Sequence, residues 1–141
     1  MKFMVILKAN ATSEAGAMPS EQLIAAMGQF NEEMVEAGVL LAAEGLHPSS
    51  KGARIRIDGD ERTMSRGPFA DPGSLVAGFW IIETPSLDDA IAWMERCPHP
   101  FEQGAAEIEI RQMFSSDDFG EAMTPELREQ EARQREQLAQ R

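Results

Sequence analysis

The chain has 141 residues, 43% of them hydrophobic and 26% charged, which is typical of one globular domain and excludes a largely disordered chain. Its formal net charge of −11 argues against direct binding of DNA or RNA, because an acidic surface repels phosphates. Cys97 is the single cysteine and no zinc-site spacing is present, so we expect no disulfide and no metal site. No phosphate-binding glycine loop is present either, so we expect no cofactor.

The N-terminal segment contains an unbroken apolar run, FMVIL, at residues 3–7. A strand that is apolar on both faces is typical of the covered centre of a sheet. The run is too short for a signal peptide or a membrane span. Together with the lone thiol, this predicts a cytoplasmic protein without a membrane partner.

A long helix is predicted after residues 10–18, which are small and polar and are expected to form a loop. Ser20 is a suitable N-cap, and Gly38 is a suitable residue just beyond the helix end. Apolar residues separated by three or four positions define one face, which should pack on a sheet. These residues are Leu23, Met27, Phe30, Met34 and Ala37.

The middle of the chain reads as strands and turns. We predict strands at residues 39–46, 53–58, 61–65 and 75–83, with Asp58-Gly59-Asp60 as the turn of a hairpin. The last of these strands is again apolar on both faces. Between the hairpin and that strand, two prolines and two glycines within residues 67–74 indicate a loop of fixed shape.

A second helix is predicted from the cap Ser86 to Cys97-Pro98, followed by a strand at residues 106–114. Thr124-Pro125 begins a C-terminal helix with few large apolar residues. That helix should lie on the body or on a partner, or fray. We therefore divide the chain into a domain at residues 1–115 and a C-terminal linker and helical extension at residues 116–141.

This order of elements predicts an α+β fold of the ferredoxin-like type, an antiparallel sheet with two helices on one face. Helices on one face leave the other face of two fully apolar strands in water, which would expose a large apolar patch. We therefore expect a homodimer that packs sheet to sheet, as in dimeric α/β-barrels.

Residues 66–83 read RGPFADPGSLVAGFWIIE, flanked in order by GVLLAAEGLHPSS, LDDAIAWMERCP and EIEIRQMF. Over about residues 1–115 the chain resembles the YCII-related family, which is marked by a DGPF motif, and its tail resembles the extension of a longer branch. The resemblance implies a dimeric ferredoxin-like domain with a cleft between sheet and partner. Two positions depart from the family pattern. Arg66 replaces the usual aspartate, and Met27 and Cys97 stand where shorter members carry a histidine–aspartate pair.

The candidate catalytic residues are His47 and Asp71. His47 follows a strand beside Pro48, and histidine titrates near neutrality; the alternative is a surface histidine in a turn. Asp71 is the carboxylate nearest the motif, although an aspartate before Pro72-Gly73 is more often a turn residue.

Four further residues are candidates for ligand binding. Arg66 could bind a carboxylate or phosphate of a ligand, or it could be a solvated hairpin residue. Glu44 could form a structural ion pair with Arg66 or His47, or face solvent at the sheet edge. The aromatic rings of Phe69 and Trp80 could line a pocket, although aromatic residues are more often core.

Two functions fit the sequence, which leaves open whether the protein is an enzyme. One is binding of a small metabolite, anionic or aromatic, in a sheet or dimer cleft, with simple acid–base chemistry of the isomerase or lyase kind. The alternative is a non-catalytic regulatory or interaction protein that uses its tail helix to contact a partner such as a sigma factor.

Overall fold

A computed structural model describes residues 1–141. Six strands are present: β1 (Lys2–Lys8), β2 (Leu40–Gly45), β3 (Ala53–Asp58), β4 (Glu61–Arg66), β5 (Val76–Glu83) and β6 (Ile108–Gln112). Four α-helices are present: α1 (Ala11–Glu14), α2 (Glu21–Glu36), α3 (Leu87–Met94) and α4 (Pro125–Ala139). The predicted order of strands and long helices is confirmed.

Four strands form one antiparallel sheet in the order β2-β5-β1-β6. This is the ferredoxin-like arrangement, and it confirms the predicted fold class. The hairpin β3-β4 forms a separate two-stranded sheet. Its apolar side chains are not covered, since Ile55 is 68% exposed and Ile57 is 62% exposed. The hairpin therefore projects from the body.

The core lies between α2, α3 and one face of the four-stranded sheet. Alternate residues of the two central strands enter it, because side chains along a strand point to opposite faces in turn. The fully buried members include Phe3, Val5 and Ile82 from the sheet and Met34 from α2. Ala90 and Met94 of α3 belong to the same core cluster, so α2 and α3 pack on the same face of the sheet.

The opposite face of this sheet carries Met4, Ile6, Phe79 and Ile81, and we call these four residues the open face. The strand register places Met4 beside Ile81 and Ile6 beside Phe79. All four are partly exposed in the single chain. The prediction that both central strands are apolar on both faces is therefore confirmed, and the second face lacks a helical layer.

The ends of α2 are those predicted. The Ser20 hydroxyl accepts a hydrogen bond from the Leu23 amide at 3.1 Å, and Gly38 follows the helix with φ +73°, a conformation that favours glycine. The predicted loop at residues 10–18 is partly wrong, since it contains the short helix α1. The Asn10 side chain caps this helix by accepting from the Ser13 amide at 2.9 Å.

The C-terminal helix α4 begins where the Thr124-Pro125 pair predicts, and no residue in it is buried. Leu127 and Leu138 remain 46% and 61% exposed. Its Arg128 contacts Asp117 in the preceding turn at 2.9 Å. A partner for this helix stays a prediction. No helix of the chain has the length and hydrophobicity required to cross a membrane.

Candidate functional site

A cleft of about 450 Å³ opens where β1 ends and β5 begins. We call it the apolar cleft. Its floor comes from Leu7 of β1 and Ala77 of β5, and its walls come from the segment after α1, the start of α2, the turn after β2 and residues 100–102. Its lining includes Thr12, Ala17, Leu23, His47, Phe101 and Glu102.

The rim of the apolar cleft is held by contacts between distant parts of the chain. The Ser20 amide donates to Glu102 Oε1 at 2.7 Å, and hydrogen bonds from Ser20 lower the pKa of the Glu102 carboxyl. The Asn10 side-chain amide donates to the carbonyl oxygens of Gln103 and Ala105 at 3.1 and 3.3 Å. These contacts fix residues 102–105 against α1 and the start of α2.

A second cleft of about 290 Å³ adjoins the first between α2 and the sheet, sharing Leu7 and Ala77 with it. Glu44 and Trp80 line this second cleft. Trp80 is only 5% exposed, its Nε1 donates to Asn31 Oδ1 at 2.9 Å, and it packs edge-on against Phe30. Trp80 is thus part of the core with one side at a cleft.

Gly67-Pro68-Phe69, which we call the GPF segment, packs on the turn that follows β2. The Gly67 amide donates to the Gly52 carbonyl at 2.9 Å, and the Phe69 amide donates to the Ser49 hydroxyl at 3.0 Å. That hydroxyl in turn donates to a Glu14 carboxylate oxygen at 2.5 Å. A Cβ atom at Gly67 would lie 1.8 Å from the Ser49 carbonyl oxygen. The segment therefore ties the hairpin to the body and requires glycine at this position.

A third cleft of about 390 Å³ lies at the base of the hairpin, and we call it the basic cleft. Its basic side chains are His47, Lys51 and Arg54. The Arg54 guanidinium carbon lies 3.9 Å from the centroid of the Phe69 ring. His47 lines both this cleft and the apolar cleft.

Comparison with known proteins identifies the domain. Residues 1–114 match the sequence profile of the YCII-related domain. The chain belongs to the YCII-related family. Over 82 residues it is 29% identical to an uncharacterized protein of Rhizobium meliloti (strain 1021), an alignment that spans 58% of this chain and 66% of that protein.

The chain is also similar to a solved structure, the 5-chloro-2-hydroxyhydroquinone dehydrochlorinase TftG from Burkholderia phenoliruptrix AC1100 in complex with 2,5-dihydroxybenzoquinone. The TM-score is 0.42 at 18% identity, and the superposition covers 82% of this chain and 96% of that chain.

The predicted site residues of this YCII-related protein do not form one cluster. His47 lines the apolar and basic clefts, and Phe69 lines the basic cleft. Arg66 lies exposed at the end of β4 opposite Ala53, and neither it nor Asp71 lines any of the three clefts.

Two local expectations can be compared directly with the geometry. The ion pair expected between Glu44 and Arg66 or His47 is not formed. Asp71 adopts the left-handed conformation with φ 64°, and its carbonyl accepts hydrogen bonds from the Ser74 amide and hydroxyl at 3.0 and 2.8 Å. Its backbone thus has a turn role, while a catalytic role for its side chain stays a prediction.

Glu102, Thr12 and Lys51 were not among the residues singled out from the sequence. The partner of Glu102 is 82 positions away, so no local pattern could have placed it at a cleft. The rigid Pro98-His99-Pro100 turn was the one available signal, because such turns fix the following residues in space.

Cys97 lines none of the three clefts, and its thiol reactivity is a test of how far it is buried. Burial raises the pKa of its thiol from 9.0 to about 11, and its Sγ donates to the Pro98 carbonyl at 3.3 Å. Because the thiolate is the nucleophile, we expect iodoacetamide at pH 8 to alkylate native Cys97 roughly 100-fold more slowly than the urea-unfolded chain. The measurement is the rate of mass increase. A native rate within a few-fold of the unfolded rate would contradict this assignment.

Proposed function

We propose that this YCII-related protein binds a small, mostly apolar organic molecule in the apolar cleft. The observation that carries the proposal is the cleft itself, a volume of about 450 Å³ with apolar walls and a few polar groups at its edge. Small-molecule sites in proteins have these features and volumes of this order. The network through Glu102 and Asn10 supports it further, since a braced rim reduces the ordering needed on binding.

The charges of the cleft favour a neutral or cationic ligand over an anion. Glu102 carries the negative charge, His47 is the only basic side chain in the lining, and Thr12 adds a hydroxyl. Arg66, considered for an anionic group, lies outside this cleft. A planar neutral molecule with one or two hydroxyl or carbonyl groups would match the apolar walls and these polar atoms.

We further propose that His47 moves a proton in a simple isomerase- or lyase-type reaction, with Glu102 as the second ionisable group. An imidazole and a carboxylate in one cleft supply groups that can accept and return a proton. In this proposal Asp71, which lines none of the three clefts, has no contact with the ligand.

The proposal also includes a cytoplasmic homodimer formed through the open face. Its support is the apolar character of Met4, Ile6, Phe79 and Ile81 together with their partial exposure in one chain. The charges beside the patch are largely paired, since Glu109 contacts Lys8 at 3.6 Å and Arg111 at 3.2 Å. An apolar patch whose flanking charges are satisfied is suited to self-association about a two-fold axis.

Filling the apolar cleft tests the function. Ala17 is exposed at the cleft, so Ala17→Trp should occupy the cavity without disturbing the core. The probes are phenol, benzaldehyde and indole, followed by saturation-transfer NMR and by thermal unfolding. A probe at ten times its Kd should stabilise the wild type by about 1.4 kcal/mol, and this gain should vanish in Ala17→Trp.

Ala15→Trp is the matched control, because Ala15 is exposed nearby and does not line the cleft. This variant should keep the stabilisation and the NMR signals. Absence of binding by all three probes to the wild type, or equal binding by both tryptophan variants, would argue against ligand binding at this cleft.

A further inference from the structure

We propose that the basic cleft is a second binding site, one that takes a small organic anion, a carboxylate or a phosphate monoester. The inference concerns a different cavity from that of the proposed function and does not depend on it. The starting observation is a groove of about 390 Å³ in which Lys51, Arg54 and His47 meet apolar residues of β5 and the preceding loop.

The cations of this cleft are not used by the rest of the protein. Six ion pairs form in the chain, and neither Lys51 nor Arg54 belongs to any of them. The one carboxylate in the lining, Glu14, already accepts hydrogen bonds from the Ser49 amide and hydroxyl at 3.0 and 2.5 Å.

Arg54 is held in an orientation that suits an oxyanion. Its guanidinium carbon lies over the Phe69 ring, 3.9 Å from the centroid, and this cation–π contact holds the charged end of the side chain. Arg54 takes part in none of the six ion pairs, so its N–H groups remain free for bidentate contact with a carboxylate or phosphate. The contact with Phe69 therefore holds the cation without an anionic partner from the chain.

Phe69 is held in place by backbone hydrogen bonds of the GPF segment, to which it belongs. Its amide is held by the Ser49 hydroxyl at 3.0 Å, and the Gly67 amide is held by Gly52 at 2.9 Å. The same turn, residues 49–52, carries Lys51. The segment thus brings the stacked arginine and the lysine to one groove, which gives the motif a role in this chain that does not require an aspartate at position 66.

The remaining lining residues of the basic cleft favour a ligand with an apolar part. Leu46, Leu75 and Val76 form an apolar wall, which suits a short hydrocarbon or aromatic part attached to the charged group. A purely inorganic anion would contact the cations and leave this wall in water. We therefore expect an aromatic oxyanion to bind more tightly than inorganic phosphate.

The experiment titrates the full-length chain with phenyl phosphate, benzoate, inorganic phosphate and neutral benzamide, and follows backbone amide NMR shifts. The first two should bind saturably, with the largest shifts at residues 46–54 and 69–76, and benzamide should not. Arg54→Gln should weaken binding about 10-fold, and Lys51→Gln about threefold. Arg54→Lys should fall between wild type and Arg54→Gln, because it keeps the charge and loses the planar fork.

Arg56→Gln is the matched control, since Arg56 lies on the same strand, is 81% exposed as a side chain and is outside the cleft. Its affinity should equal that of the wild type. Equal losses in Arg54→Gln and Arg56→Gln, or no saturable binding of either aromatic anion at millimolar concentration, would overturn the inference. Tighter binding of phenyl phosphate assigns the site to phosphate esters, and tighter binding of benzoate assigns it to carboxylates.

The Ala17→Trp variant separates this site from the apolar cleft. It should leave phenyl phosphate binding unchanged while it removes binding of the neutral probes. If Ala17→Trp abolishes binding of the aromatic anions, they occupy the apolar cleft; the inference then fails and the proposed function stands. If only the neutral probes fail to bind to the wild type, the proposed function fails and this site remains.

Discussion

Replacing Gly67 by alanine is expected to destabilise the protein by about 3 kcal/mol or more. The added methyl group would lie 1.8 Å from the Ser49 carbonyl oxygen and 2.6 Å from its carbonyl carbon. Both are backbone atoms, so no side-chain rotation can relieve the overlap. The turn after β2 or the end of β4 must move, which breaks the hydrogen bonds from Gly67 to Gly52 and from Phe69 to Ser49.

Urea unfolding followed by circular dichroism measures the effect as a lower midpoint at an unchanged slope. Gly28→Ala is the matched control, because a Cβ there meets nothing within 4 Å and the position is in the middle of α2. Alanine is the better helix former by roughly 0.5–1 kcal/mol, so the control should be more stable than the wild type. A Gly67→Ala midpoint equal to the wild-type midpoint would contradict the close approach of Gly67 to Ser49.

The parts of the fold that could be predicted are those with local signals. The helix α2 is bounded by Ser20, whose hydroxyl caps it, and by Gly38 in the left-handed conformation. The hairpin turns at Gly59, which also has positive φ. The short helix α1 had a local signal too, Asn10 followed three residues later by Ser13, but small polar residues favour caps and loops alike.

The site was harder to predict because long-range contacts build it. Glu102 meets Ser20 across 82 positions, and Asn10 meets Ala105 across 95. The stacking of Arg54 on Phe69 depends on how the GPF segment folds back on Ser49, which composition does not encode. His47 was found because an ionisable residue beside a proline at a strand end is recognisable in sequence. The two clefts that His47 lines could not be recognised in the sequence.

Arg66, which replaces the usual aspartate as the first residue of the motif, takes no part in the contacts that hold the hairpin base. Arg66 is exposed at the end of β4, opposite Ala53, while Gly67 and Phe69 make the contacts that hold the hairpin base. The second and fourth residues of the motif, Gly67 and Phe69, therefore make its structural contacts. Replacement of the usual aspartate by arginine changes the surface charge and leaves those contacts intact.

The second large effect is expected on the open face, where the substitution Ile6→Glu should abolish the proposed dimer. Ile6 lies between Phe79 of β5 and Glu109 of β6 on this face. A carboxylate there would be buried against a second subunit beside Glu109, whose contacts already engage Lys8 and Arg111. Burying this added charge costs far more than leaving it in water. Sedimentation equilibrium at micromolar concentration should give twice the chain mass of 15.6 kDa for the wild type and a single chain mass for the variant.

The matched control is Ile24→Glu, the same substitution on α2, which packs on the other face of the sheet. Ile24 is 59% exposed, so its replacement should change neither the fold nor the mass. Circular dichroism of both variants checks that each remains folded. A monomeric wild type, or an Ile6→Glu variant that stays dimeric, would refute sheet-to-sheet association. The first result would leave an exposed apolar patch on a monomer, whereas the second would move the contact to another surface, with the projecting face of Ile55 and Ile57 as the next to be tested.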